Sequence, residues 1–520
     1  MVKARNPRGR RRNYEHNIAA IRKRNAEYVA TLADPKHRLS STRTATTDKS
    51  TVQNYLQRPV DNSDSIAANL RQAYINSGVI NKVVDYYVSQ PLYNYSISPV
   101  LGNKIYSTDS SMHDAYIDVA YGLEELNIKF YAPYFFKETL IEGVSYFYKV
   151  EDANGVGYIK FPTDWCRISS MDQGVYRFRL DMSKIKQEIV DTLPQEIQKA
   201  REDYSNGNTS DENQWYNNRW FNISDAGVAF TFDPNSLING GVAISPFAGI
   251  LVDSLSLDKA KENISIKDQL DTVRLIHAKI PTDNNGEATM PLKTSKIFFD
   301  QMKSRLPDGV VGVTSPMNLS NIPLNGSGTS GSFDTVDKTL DQLFFDLGTS
   351  APLFGGPTTS ANIVRESVKK DANWIYTNLF PLLENYYNYE ITKIKTKSKA
   401  KWEIKFIHES NFSLKDDIAL LKDQLSYGGS RLDYLAACGF SPIEIISKLE
   451  FEQQVLDIDD IMVVKPTSNT ISAKGASQST GRSQGVTDPK NSFNPNPGQV
   501  GRPKTDNPTD DTDRLDGGEM

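Results

Sequence analysis

Two helical runs separated by a Gly- and Pro-rich excursion constrain this chain more than any other feature. The first, SLDKAKENISIKDQLDTVRLIHAKI, starts at Ser256; the second, FDTVDKTLDQLFFDLGTS, starts at Phe333 and leads into APLFGGPTTS. In the first run Leu257, Ala260, Ile264, Leu270, Val273 and Ile276 recur at spacings of three, four or six among Lys, Glu and Asp, which is one apolar stripe on a helix. Phe333, Val336, Leu340, Leu343, Phe344 and Leu347 repeat the pattern in the second. Such a chain goes out along one helix, builds a small subdomain and returns along the other. At about 1.5 Å per residue the first helix is roughly 33 Å long. Helices this exposed need neighbours, and copies of the same chain can supply them.

At 520 residues the chain exceeds one core, and about 150 residues per domain gives roughly two to four lobes. With hydrophobic residues at 38%, much of the length is loop, tail or surface, and the 25 Tyr and 22 Phe supply bulk to the cores. A net charge of -5 argues against a general nucleic-acid wrapper, which is basic overall. Cys166 and Cys438 are the only cysteines, which excludes a disulfide scaffold or a four-cysteine zinc site and fits a reducing setting. The opening MVKARNPRGRRRNYEHN has the basic part of a signal peptide without its apolar core. GGVAISPFAGILV, residues 240–252, is too short to span a bilayer and contains Pro246, so no membrane partner is expected.

Residues 1–63 read as a basic, mostly mobile arm, with a short helix over 13–33 and order beginning near Asp64. Arg8, Arg10, Arg11 and Arg12 make the arm a candidate contact for phosphate or an acidic partner, and a solvated tail is the alternative reading. Helices are expected over 65–77 and 79–90, broken at Gly78 and stopped by Pro91, then over 110–127 and 129–143. Strands follow at 144–150, 157–162, 165–170 and 175–181, forming an antiparallel meander whose first turn is marked by Asn154, Gly155 and Gly157. Residues 183–203 return to helix, and WYNNRWFNIS and GVAFTFDP are further strands with Trp215, Trp220 and Phe230 as core anchors. The lobe 64–252 is therefore helices on an antiparallel sheet, the α+β class. In the excursion a helix is expected over 293–305 and a strand at GVVGVTS. Beyond the second run, one face of a long helix carries Val364, Val368, Ala372, Ile375, Leu379, Leu382, Tyr386 and Tyr389, with a kink at Pro381. WEIKFIH is a strand, three short helices follow, and from about 463 the composition is that of a disordered tail.

Catalytic signatures are mostly missing. There is no phosphate loop ending in Lys-Ser/Thr, no zinc-protease helix and no G-x-S-x-G elbow, and the five histidines are scattered. Gly326, Gly328 and Gly331 spell G-x-G-x-x-G before a helix, but Pro323 and Asn325 stand where a dinucleotide site needs a strand, so a flexible joint is the better reading. Asp457, Asp459 and Asp460 at a helix end read as solvated surface rather than an ion site. The loop TSAPLFGGPTTS is either a plain helix-to-helix connection or the mouth of a channel; periodicity does not separate the two.

The order of these parts, with GVVGVTSPMNLSNIPL in the excursion and DQLFFDLGTSAPLFGG after it, resembles the portal (connector) proteins of long-tailed double-stranded DNA bacteriophages over about 64–455. The resemblance implies a multi-lobed α+β subunit that assembles into a ring, usually of twelve copies, at one capsid vertex. DNA would enter and leave through it. It implies a wing at 64–252 and 361–408, stem helices at 253–278 and 333–347, a small α/β clip at 279–332, a tunnel loop at 348–360, a helical crown at 409–462 and a tail at 463–520. The DNA-facing loop residues would be Thr349, Ser350, Pro352, Leu353, Phe354, Gly355, Gly356, Pro357, Thr358 and Thr359. Phe298, Phe299, Val310, Val311, Val313, Met317 and Leu319 of the clip would dock the terminase motor and then a head-tail adaptor. Capsid and scaffolding proteins would be further partners, and the mature location would be the virion, after assembly in the bacterial cytoplasm. No cofactor, no metal and no catalysis are implied.

The residues agree in one physical respect. The second stem helix carries Asp334, Asp337, Asp341 and Asp346 against Lys338, and in a ring those acids would form a lining over which DNA slides rather than sticks. Lys259, Lys261, Lys267 and Arg274 of the first would pair with acids of the next copy. Two alternatives remain open: a nucleotide-dependent enzyme using the 326–331 glycines, and a nucleic-acid-binding protein using the basic arm.

Overall fold

The structure is a computed structural model. It describes residues 39, 41–100, 110–152, 155–272, 274–277, 283, 287, 289–304, 310–313, 333–348, 351–354, 360–396, 398 and 400–456. At 110, 152, 266–272, 274–277, 292, 303, 310–313, 333–335 and 351–352 only the backbone is described. The chain divides into two units, Met1–Phe451 and Glu452–Met520, and of the second only 452–456 are described.

The first elements are helices α1 (Lys49–Gln57), α2 (Ser63–Asn76) and α3 (Gly78–Ser89), strand β1 (Tyr95–Val100), and helices α4 (Ser110–Glu125) and α5 (Ile128–Glu142). Strands β2 (Val144–Asp152), β3 (Gly155–Phe161), β4 (Cys166–Asp172) and β5 (Val175–Asp181) follow, then α6 (Gln187–Val190), α7 (Gln195–Asn206), β6 (Trp215–Tyr216), β7 (Trp220–Asn222) and β8 (Gly227–Thr231). Helix α8 (Leu251–Thr272) leads through β9 (Arg274–His277), α9 (Leu292–Lys303) and β10 (Val310–Val313) to α10 (Phe333–Leu347). Helices α11 (Ala361–Asn378) and α12 (Phe380–Lys393), strand β11 (Lys401–Phe406), and helices α13 (Leu414–Ser426), α14 (Arg431–Ala437) and α15 (Pro442–Gln454) complete the described chain.

The α+β class holds, with a different sheet order from the expected meander. The hairpins β2–β3 and β4–β5 form, but β8 lies between β2 and β5, giving β3-β2-β8-β5-β7-β6 with β4 on β5, all antiparallel. The reason is burial. All five β8 residues are buried, so this strand takes a central place. Period-two alternation then gives the sheet two apolar faces. Phe147, Tyr158, Val228 and Phe230 meet α3, α5 and α12 on one side, while Val144, Tyr146, Phe178 and Leu180 meet Val190 and Ile197 of α6 and α7 on the other. The lobe thus has three layers where two were expected.

Gly143 sets the entry to β2. Its φ is +83°, and a Cβ there would stand 2.3 Å from the backbone nitrogen of Ser245, so only glycine fits.

Four further expectations are corrected. Order begins well before Asp64: Val52 of α1 is fully buried, and Thr42 donates from its backbone nitrogen and hydroxyl to the Asp164 carboxylate at 3.1 and 2.6 Å. The helix expected over 183–203 is broken before Gln195 because Pro194 ends the preceding turn. Trp220 is half-buried rather than a core anchor, lying under the Arg167 and Arg219 guanidiniums, whereas Trp215 and Phe230 are buried as expected. The helix expected over 253–278 stops at Thr272, because Arg274–His277 pair in parallel with Val310–Val313 around α9.

Candidate functional site

Helices α8 and α10 are planted side by side in the main core, the start of one against the end of the other. Ile250, Leu251 and Leu257 are buried there with Leu343 and Phe344, and Val252, Leu255, Val336, Leu340 and Leu347 pack around them. Leu257, Val336, Leu340, Leu343, Phe344 and Leu347 are positions the sequence stripe marks, whereas Ile250, Leu251, Val252 and Leu255 precede the first run. Farther along, Ala260 and Ile264 are half-buried, while Lys259, Lys261 and Glu262 face solvent. The side chains of Lys267, Leu270 and Ile276, and Val273 as a whole, lie outside the described residues, as does the Arg274 side chain.

The acids of α10 separate into two groups. Asp337 and Asp341, one turn apart, are exposed together with Lys338, and Phe345 beside them is 80% exposed. Asp346, also exposed, accepts from the Gln342 amide at 3.0 Å and faces Asp253 in the first turn of α8. Burial, and then the hydrogen bond and charge of Asp346, push the Asp253 carboxyl up, with Lys49 opposing. Lys49 itself donates to the Ser256 hydroxyl at 2.9 Å, tying α1 to α8. The side chain of Asp334 is not described.

Gly348, at φ +67°, ends α10, its N–H bonding the Phe345 carbonyl at 3.0 Å. Residues Ala351–Phe354 then make one turn of 3-10 helix. Leu353 and Phe354 are half-buried and pack on the core. The Phe354 ring stacks on Phe344 at 5.3 Å and meets Tyr86 edge-on at 5.5 Å. Tyr86 is held in turn by its hydroxyl, which donates to Asp371 at 3.0 Å. The described part of the loop is therefore docked at its root. Pro352 is described in backbone alone, and Thr349, Ser350, Gly355, Gly356, Pro357, Thr358 and Thr359 lie outside the described residues.

In the excursion Phe298 is 58% exposed, Ile297 beside it equally so, and Phe299 is half-buried. Val310, Val311 and Val313 form β10, and Met317 and Leu319 are outside the described residues, as are Arg8, Arg10, Arg11 and Arg12, the glycines at 326, 328 and 331, and Asp457, Asp459 and Asp460.

Sequence reasoning missed a charged cluster on α2, α5 and β3. Glu138 and Glu142, one turn apart, share Arg71 and Lys160: Lys160 reaches Glu142 at 2.8 Å and contacts Glu138, Arg71 reaches Glu142 at 2.6 Å and contacts Glu138, and Thr163 donates to Glu142 at 2.6 Å. Burial opposes ionisation, but the two cations hold both carboxyls below the usual range. Two acids and two bases cancel, so the groove of about 860 Å³ above them has a neutral, tied floor rather than a reactive one. Among the described residues no group of three or more His, Cys, Asp or Glu is placed to hold a metal, and no helix is long and apolar enough to cross a membrane.

No protein-family model matches the chain, and no curated protein matches it in sequence. Among solved structures it is similar to a chain of the virion of a native gene transfer agent (GTA) particle, at 13% identity and a TM-score of 0.36, over 70% of this chain and 88% of that one.

Proposed function

We propose that this chain is the subunit of a portal ring of a tailed bacteriophage, a conduit for double-stranded DNA at one capsid vertex that performs no chemistry of its own. One observation carries the reading. Helices α8 and α10 share one root in the core, and an α/β excursion separates them in the chain, with Asp337, Asp341 and Phe345 in solvent on the face of α10 turned away from that core. A lone subunit gains nothing from exposing Phe345, Ile297 and Phe298. In a ring, neighbouring copies cover such residues, and the acids, repeated around the axis, keep phosphate from binding to the wall.

In this reading α8 and α10 are the stem, the excursion is the clip that meets the terminase motor and then the adaptor, and the turn at Ala351–Phe354 anchors the tunnel loop. Shell and scaffolding proteins surround the ring in the virion.

Light scattering and negative-stain images of the purified protein test it. Rings of roughly a dozen copies with a central hole are expected. Deleting 349–360 should spare the ring and impair DNA passage in assembled particles. Failure to form rings both alone and with shell and scaffold proteins, or saturable binding of ATP or NAD by calorimetry, overturns the reading.

A further inference from the structure

Behind the joint at Gly348 lies a cavity of about 170 Å³. Three aromatic rings line it, Tyr87, Phe247 and Trp374, inclined to one another: Tyr87 to Phe247 at 5.9 Å and 56°, Tyr87 to Trp374 at 6.0 Å and 74°. Asp371 also lines it, and is only 3% exposed. One of its oxygens accepts from the Tyr86 hydroxyl at 3.0 Å. Among the described residues no cationic group pairs with it; exposed Lys370, its chain neighbour at the rim, acts on it only through its field. The Tyr87 hydroxyl also bonds this carboxylate, so two phenols offset part of the cost of burying it beside apolar walls.

Three aromatic rings and a buried carboxyl are complementary to one kind of ligand. The π faces attract a cation, and the carboxylate neutralises it. The Tyr86 and Tyr87 hydroxyls both engage the carboxylate, so the parallel two-point grip that favours guanidinium is not on offer, whereas a compact ammonium needs one remaining lone pair and the rings. We infer that this cavity is a binding site for a primary alkylammonium, either the end of a lysine side chain or a free amine. Burial holds the Asp371 carboxyl up to about 6, with the Tyr86 and Tyr87 hydroxyls and the Lys370 charge opposing. The site abuts Leu347 and Gly348, so its occupant bears on the joint between α10 and the following loop.

The test uses the full chain and n-butylammonium chloride as probe, with n-butanol and sodium butyrate as neutral and anionic controls. The fluorescence of Trp374, taken as wild type minus Trp374→Phe, reports occupancy. Butylammonium should give a saturable change that Asp371→Asn weakens about tenfold or more and that Lys370→Gln strengthens several-fold by removing the like charge. The controls should give none. If a lysine of a neighbouring copy already fills the site, the probe is silent, and a water-soluble carbodiimide joins Asp371 to that lysine in an amide found as a crosslinked peptide. Equal saturation by n-butanol in wild type and Asp371→Asn would make the cavity merely apolar and overturn the inference, as would the absence of both a saturable response and the crosslink.

Discussion

Single residues already fix much of the behaviour of this chain, and two of them lead to direct measurements. Glu409 is fully buried; Asn94 donates to one of its oxygens, and among the described residues the other has no hydrogen-bond partner. Burial, with Asp417 adding to it and Lys129 opposing, pushes its carboxyl up to about 7. A carboxyl raised on folding contributes stability that is whole below its ordinary value of 4.5 and lost as pH rises through about 7. The unfolding free energy of the wild type from urea titrations should therefore fall by on the order of 1–2 kcal/mol across that window, and Glu409→Gln should flatten the fall. Gly143→Ala places a methyl against the Ser245 backbone at positive φ, so it should cost more than about 3 kcal/mol, read as loss of soluble folded protein. Neither residue stands out in the sequence. Gly143 reads there as a helix end, which it is, but its close approach to residues 244 and 245 depends on a chain segment a hundred positions away.

At the scale of elements, helices were legible and partners were not. Gly, Pro and 3.6-residue spacing gave α2 through α5, and α10 with its bounds at Phe333 and Leu347. The strand β1 went unread because YSISPV carries Pro99 and two serines, and it is completed only by β11. Along α11 and α12 the expected stripe holds through Leu379 and again at Tyr386, but past the break at Leu379, ahead of Pro381, the buried face also takes in Phe380, Leu383 and Tyr387 while Leu382 and Tyr389 are half-buried. The Arg71, Glu138, Glu142 and Lys160 cluster was invisible for the same reason as β1, since its members come from three elements. Lys160→Met should leave two buried acids sharing one guanidinium and cost about 3–5 kcal/mol, with Glu142→Gln in the same chain restoring part of it in thermal melts. Phe354→Ala removes the stacked contact on Phe344 and the edge contact on Tyr86. Limited proteolysis between Leu347 and Asn362 should then be faster while the far-ultraviolet spectrum stays unchanged.

For the whole molecule, the proposed ring would make the exposed acids of α10 act through repetition. Asp337→Lys with Asp341→Lys should make purified rings hold double-stranded DNA, and the slope of log affinity against log salt should steepen by about 0.9 for each phosphate newly contacted. An unchanged slope would mean that this face does not look into the channel. The acidic face itself was readable, because charge on a helix needs only local spacing. The docking of Phe354 was not, because nothing local distinguishes a ring aimed at solvent from one aimed at Tyr86 some 270 positions earlier, so the site was legible in its charge and hidden in its anchoring.

The pairing of β1 with β11 also governs when a subunit exists. Tyr95 lies opposite Phe406, and Asn94 bonds Glu409 across 315 residues of chain. On the ribosome the two sheet hairpins can close early, but β1 waits until α8, α10 and the excursion between them have emerged. A nascent or truncated chain therefore offers an open strand edge to whatever is near, and completion of the lobe acts as a proofreading step: only a chain synthesised through β11 closes that edge.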